Sequence, residues 1–269
     1  MVIDHLQNDK AALSSAALVD KSWLIRSRVH LFRAVSVTAD FAGFAQFLHE
    51  KPHLRKYIEQ LALQGQPLEY NSSSITTLQP FVLASILSQL PHLNRLSIHE
   101  ISFHSSIPCF YLHPCQLDEL TLINVGSNED TTNDVLHILS LFSDVRSLNI
   151  LGIGQCLDNN DLQARTDELD IPSSLRVMSL KIEDVPYELY MQIFRRTESV
   201  HTIKNIEMEC GDLGDIEALA ELLQDTSLSV ESLNLNLTQC FITNASPEAD
   251  SDAIPLLSMF PFPPCSQYH

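Results

Sequence analysis

Imidazole and thiol side chains gather most densely at His104, Cys109, His113 and Cys115. Both groups are zinc donors, but structural zinc sites pair their ligands across a tight knuckle, and His113-x-Cys115 is too short to form one. The stretch reads as a loop with partly buried Cys and surface His. Gly152-x-Gly154 follows an apolar segment but lacks the third glycine and the following helix of a dinucleotide site. No Walker loop, G-x-S-x-G elbow or H-E-x-x-H occurs. The acids Asp158, Asp161, Asp167, Glu168 and Asp170 lack the alternate spacing, central glycine and terminal glutamate of a calcium loop, and read as a solvated segment. Asn71, Asn236 and Asn244 match the glycosylation acceptor pattern, which has no consequence in an intracellular chain. None of the 11 histidines lies in a recognisable nucleophile and base arrangement. The sequence therefore points to no enzyme, no cofactor and no metal.

The elements that carry such side chains belong to a chain of 269 residues, 45% hydrophobic and 19% charged, the composition of a globular protein of one or two domains. Its net charge of −18 argues against a nucleic-acid partner, because neutralising phosphates needs a cationic surface. No apolar run reaches the roughly 18 to 20 residues a membrane-spanning helix needs, and the N-terminus lacks the basic start and apolar core of a signal peptide. The expectation is an intracellular protein, cytoplasmic or nuclear, with no membrane partner. The six cysteines show no C-x-x-C pair and imply no disulfide framework. Charge is unevenly spread. Residues 1–60 hold eight Lys and Arg against six acids, a net of +2, which leaves −20 for the remainder.

An apolar-x-x-apolar-x-apolar pattern recurs seven times: Ile58/Leu61/Leu63, Leu93/Leu96/Ile98, Leu117/Leu120/Leu122, Val145/Leu148/Ile150, Leu175/Met178/Leu180, Ile203/Ile206/Met208 and Val230/Leu233/Leu235. Spacings between the middle residues are 35, 24, 28, 30, 28 and 27. The last two apolar positions of each copy alternate with polar residues, as in a strand with one buried face. Helical periodicity occupies 41–49, 78–90, 133–142, 187–196 and 216–224, with Asp40, Thr132 and Asp215 near the starts of the first, third and fifth as caps. A helix and strand unit of this size cannot bury its apolar face alone, so successive units are expected to stack into a parallel sheet backed by helices. A doubly wound α/β domain is the alternative architecture.

At this point the chain resembles leucine-rich-repeat proteins over residues 54–240, although the family's asparagine ladder is missing. The position three after the last strand residue holds Gln66, Ile101, Val125, Ile153, Glu183, Gly211 and Thr238. Residues 1–37 add a second resemblance. Ile3, Leu6, Leu13, Leu18, Val19 and Trp23, with a Leu18-Val19-x-x-x-Trp23 segment followed by the Arg-rich Leu24 to Arg33, look like the F-box of fungal proteins that continue into loose leucine-rich repeats. The opening Leu-Pro-x-Glu of that motif is absent, and Asp20 stands where the family commonly has Cys.

The resemblance implies a fold and a function. The fold class is α/β, a leucine-rich-repeat-like solenoid with a parallel sheet, preceded by a short helical F-box-like element. The divisions are 1–37 for that element, 38–245 for the repeats and 246–269 for a Pro-rich tail. The implied function is a non-catalytic adaptor, the client-recognition subunit of a cullin-based (SCF-type) ubiquitin ligase. Its partners would be a protein client and the ligase's adaptor subunit, the latter docking on Ile3, Leu6, Leu13, Leu18, Val19 and Trp23. A free-standing repeat scaffold without a ligase is the alternative, as is a helical cap that shields the first repeat. Polar positions flanking the strand apolars face away from the core and supply the client surface. There Ile123, Leu151 and Val177 are expected to form an apolar spot beside Arg95, His99 and Lys181, toward Glu207 and Glu209. The competing expectation is that the C-terminal tail or a loop covers those three apolar residues.

Overall fold

The computed structural model describes residues 5, 9–66, 76–103, 115–126, 131–152, 171–211, 213–226 and 229–237. Their elements in chain order are α1 (Lys10–Val19), α2 (Lys21–Arg33), β1 (Ala34–Thr38), α3 (Phe41–Glu50), α4 (Pro52–Arg55), β2 (Gln60–Gln64), β3 (Thr76–Leu78), α5 (Pro80–Ser88), β4 (Arg95–His99), β5 (Ile101–Phe103), β6 (Cys115–Ile123), α6 (Thr131–Leu139), β7 (Phe142–Leu151), β8 (Arg176–Glu183), α7 (Tyr187–Arg195), a 3-10 turn (Glu198–His201), β9 (Asn205–Glu209), α8 (Leu213–Asp225) and β10 (Ser232–Asn236). Eight strands form one parallel sheet in the order β1-β2-β4-β6-β7-β8-β9-β10, so each strand neighbours the next in the chain once the small β3-β5 sheet is set aside. The sheet is open, with β1 and β10 as its edges and no closed barrel.

Alternation along the strands builds the core. Val35, Leu61, Leu96, Leu120, Leu148, Leu180, Ile206 and Leu233 pair in register across all eight strands, and Val37, Leu63, Ile98, Leu122, Ile150, Ile182, Met208 and Leu235 form a second row two residues on. The apolar faces of α3, α5, α6, α7 and α8 close over these rows, with Leu48, Leu83, Leu139, Phe194 and Leu222 all fully buried. Each buried Leu or Ile contributes about 1.5 to 3 kcal/mol relative to exposure, before the entropy of ordering the chain is subtracted. Helix starts follow their sequence signals. Asp9, Asp20 and Asp40 accept from the backbone N–H groups of Ala12, Ser22 and Gly43 and so cap α1, α2 and α3. Pro80 opens α5, where its missing N–H is not needed.

The backbone repeats a second signature where each strand ends. Ala39, Glu100, Asn124, Gly152 and Asp184 each follow a strand and adopt left-handed φ values of 62°, 54°, 48°, 64° and 52°. This turns the chain out of the sheet, and the ladder itself closes alike at most strand ends: Ala39, Gly65, Glu100, Asn124, Gly152 and Cys210 donate to the final carbonyl of the next strand, at Gln64, His99, Ile123, Leu151, Glu183 and Asn236. Two glycines have specific work here. A Cβ at Gly65 would run into the Glu100 carbonyl, and Gly152 combines positive φ with the close approach of the Asn124 side chain. Between β8 and β9 the pattern changes. Their pairing stops at Ile182 and Met208, and Asp184 instead donates to the Tyr187 hydroxyl at 3.0 Å.

Burial pushes the Tyr187 phenol up to about 12, and it also raises fully buried Tyr190, whose hydroxyl has no partner among the described residues. Both stay protonated in the folded chain where the unfolded chain ionises. The contribution of Tyr187 to stability is therefore complete below pH 10 and is lost as pH climbs through about 12, while that of Tyr190 is lost at higher pH still. The folded protein is expected to show two fewer phenolates than the urea-unfolded chain in that window, read by phenolate absorbance. Equal titration of the two states would contradict this packing.

The structure corrects the sequence reading at several places. The segment 34–38 is the strand β1, paired with β2 throughout, so the first strand of the sheet crosses the boundary drawn between 37 and 38. In β8 the buried frame is Val177/Leu180/Ile182 rather than Leu175/Met178/Leu180: Val145, Leu148 and Ile150 pair with Val177, Leu180 and Ile182, and Met178 is half-buried. The middle-residue spacings around it become 180 − 148 = 32 and 206 − 180 = 26. Finally, α1 stops at Val19 because Asp20 is extended (φ −147°, ψ 142°), which places Trp23 in the first turn of α2 rather than at the end of the preceding segment. The 246–269 tail lies outside the described residues.

Candidate functional site

The face of the sheet opposite the helices is built from three columns of half-buried and exposed residues. The first contains Gln60, Arg95, Glu119, Ser147, Ser179, Asn205 and Ser232. The central one contains Ser36, Ala62, Ser97, Thr121, Asn149, Lys181, Glu207 and Asn234. The third runs Thr38, Gln64, His99, Ile123, Leu151 and Glu183, with Glu209 and Asn236 continuing on β9 and β10. Strand alternation puts all of them on this face, since neighbours in sequence point to the core.

Ile123 and Leu151 stand side by side in register and are half-buried, so they do form an apolar step. Val177 does not join them. It is fully buried, because the register of β8 places it opposite Val145 in the core, and Glu183 takes the position beside Leu151. Arg95 is exposed and pairs with Glu119 at 3.5 Å. His99 lies one strand from Ile123, and partial burial lowers its pKa, opposed by the charge of Glu100. Lys181 bonds Glu207 at 2.8 Å and Glu183 at 2.9 Å, and these bonds push its pKa up to about 12. Asn149 donates to the Thr121 hydroxyl at 3.0 Å, continuing the cross-strand contacts.

Over β1, β2, β4 and β6 the same face deepens into a groove of about 360 Å³, floored by the small residues Ser36, Ala62 and Ser97. Lys10 forms one wall and reaches from α1 to the Ala34 carbonyl at 3.3 Å. Neither β1 nor Lys10 was among the expected site residues. The β-branched alternation of Val35 and Val37 is the signal that reveals the strand, whereas the wall needs the helix position, which no local pattern supplies.

On the helical pair, Leu18 and Val19 are 89% and 70% exposed, and Ile25 on α2 is 62% exposed. Trp23 is half-buried. Leu13 is fully buried and so belongs to no surface, which corrects its expected place in docking. Ile3 and Leu6 lie outside the described residues, as do His104, Cys109 and His113 of the zinc-like stretch. Cys115 alone of that group is described, and burial raises its pKa, which disfavours the thiolate. Among the described residues no group of three His, Cys, Asp or Glu could hold a metal ion, and no helix is long and apolar enough to cross a membrane. No protein-family model matches the chain, and no curated protein matches it.

Proposed function

We propose that the protein is a non-catalytic, intracellular protein-binding adaptor, cytoplasmic or nuclear, whose open sheet face holds a client. The observation that carries this reading is that face itself: eight in-register strands present an apolar step, Ile123 and Leu151, framed by charged residues. Apolar centres with polar rims suit protein partners. The recurrent strand exits and sequential strand order favour a leucine-rich-repeat-like solenoid.

The helical pair extends the reading to a cullin-based ubiquitin ligase. Adjacent exposed Leu18 and Val19, with Ile25 nearby in the chain, offer apolar area to an adaptor subunit, in keeping with the F-box-like segment. A free-standing scaffold, with the pair as a cap, is favoured by one specific contact: Phe32 of α2 packs against the core at the β1 edge. Affinity capture of the full chain separates the two. With the ligase reading, the adaptor and cullin co-purify, Leu18→Glu/Val19→Glu releases them while clients remain, and Ile123→Glu/Leu151→Glu releases clients while the melting temperature stays within a few degrees. Clients recovered without any ligase subunit would leave the scaffold. A large drop in melting temperature for the Ile123 and Leu151 pair would remove the client site.

A further inference from the structure

We infer that the client element held by the open face is a single extended peptide segment with charge polarised along it: an acidic residue over β2 and β4, an apolar residue over β6 and β7, and basic residues over β8 and β9. This rests on the protein-binding reading above. At the first end, the 360 Å³ groove is bordered by Lys10 and Arg95 against the single carboxylate of Glu119, an excess of one positive charge. The Arg95 to Glu119 contact of 3.5 Å is longer than the roughly 2.7 to 2.9 Å of a strong charge-assisted hydrogen bond, so an incoming carboxylate competes for that guanidinium. The hydroxyls of Ser36 and Ser97 on the floor add neutral donors.

The opposite end has the opposite sign. Glu183, Glu207 and Glu209 outnumber Lys181, leaving two negative charges. Glu183 and Glu209 follow the point where β8 and β9 cease to pair, as expected where like charges would otherwise stand directly opposed. A cation between them relieves that repulsion. Charges at the strand starts add no net charge to either end, because Arg176 lies beside Asp144, Arg146 beside Asp118 and Lys204 beside Glu231.

The strand count sets the spacing of the segment. From β4 to β9 there are four strand steps, about 19 Å at the usual 4.8 Å per step, which an extended chain rising about 3.3 Å per residue covers in roughly six residues. The Ile123 and Leu151 step lies one to two strands from β4, or about two residues along. The preferred order is acid, spacer, apolar, two spacers, then two basic residues.

Calorimetric titration of the full chain at low salt tests this with two peptides of one composition, acetyl-Ser-Glu-Ser-Leu-Ser-Ser-Arg-Arg-Ser-amide and the scrambled acetyl-Ser-Arg-Ser-Leu-Glu-Arg-Ser-Ser-Ser-amide. The ordered peptide is expected to bind at least about tenfold more tightly, with the advantage erased by Glu207→Lys/Glu209→Lys. Arg95→Glu should weaken it, and replacing the peptide's Glu by Lys should restore binding to that variant. Equal binding of the two peptides overturns the polarised order. No binding of either, while Ile123→Glu/Leu151→Glu still releases clients, overturns the peptide segment and leaves the client face standing. No binding of either together with clients unaffected by that pair overturns both.

Discussion

Leu148→Asp is expected to abolish cooperative folding of the sheet or to lower its stability by about 4 kcal/mol or more, the scale of an unpaired charge forced into an apolar interior. Leu148 is fully buried between Leu120 and Leu180 in one of the two eight-residue rows of the core, and the cluster around it is apolar. Domains of this size hold only about 5 to 15 kcal/mol in total, so the loss is a large share of the whole. Asn149→Asp, one residue along on the open face, is the control and should stay within about 1 kcal/mol. Urea unfolding followed by circular dichroism gives both numbers. Comparable small losses for the two would mean that the row is not the interior.

A pair of truncations in β8 should differ just as sharply. Leu180→Ala removes a fully buried side chain paired with Leu148 and Ile206, and is expected to cost about 2 to 5 kcal/mol. Met178→Ala acts on a half-buried residue and should cost less than about 1 kcal/mol. The same unfolding measurement decides the frame: if Met178 proves the costlier position, the register of β8 is wrong by two residues.

That two-residue ambiguity shows where the sequence stops being informative. The template fits Leu175/Met178/Leu180 as well as Val177/Leu180/Ile182, because strand alternation has period two and Leu180 satisfies both frames. Even spacing favoured the first; pairing with Val145 and Ile150, and the Arg176 to Asp144 contact at 3.1 Å across the same strands, selects the second. Elsewhere the strand pattern held, whereas the helical readings 78–90 and 133–142 overran into β3 at Leu78 and β7 at Phe142. Six of seven strands kept their frame, and 41–49 and 187–196 agree with α3 and α7 to within a residue, since their apolar stripes are continuous and Asp40 marks the start of the first. Thr132, expected as a cap, lies inside α6 instead. β1 carries the strand alternation at Val35 and Val37, but it follows α2 without a break, so the helical run masks where the strand begins. The candidate site was half legible: alternation assigned Ile123, Leu151, Arg95 and Lys181 to one face, but Val177 moved with its register, and the Lys10 wall depends on a contact 24 residues distant.

Strand order governs how the molecule responds to load. Because the strands of the main sheet follow one another in chain order, tension applied between β1 and β10 would pull perpendicular to the strands and strain the ladder at an edge before the interior feels it. Hydrogen bonds oriented along such a pull open a few at a time, in the manner of a zipper, whereas a sheet whose terminal strands lie side by side would resist in shear. Gripped at β1 or β10, the sheet is thus expected to open strand by strand.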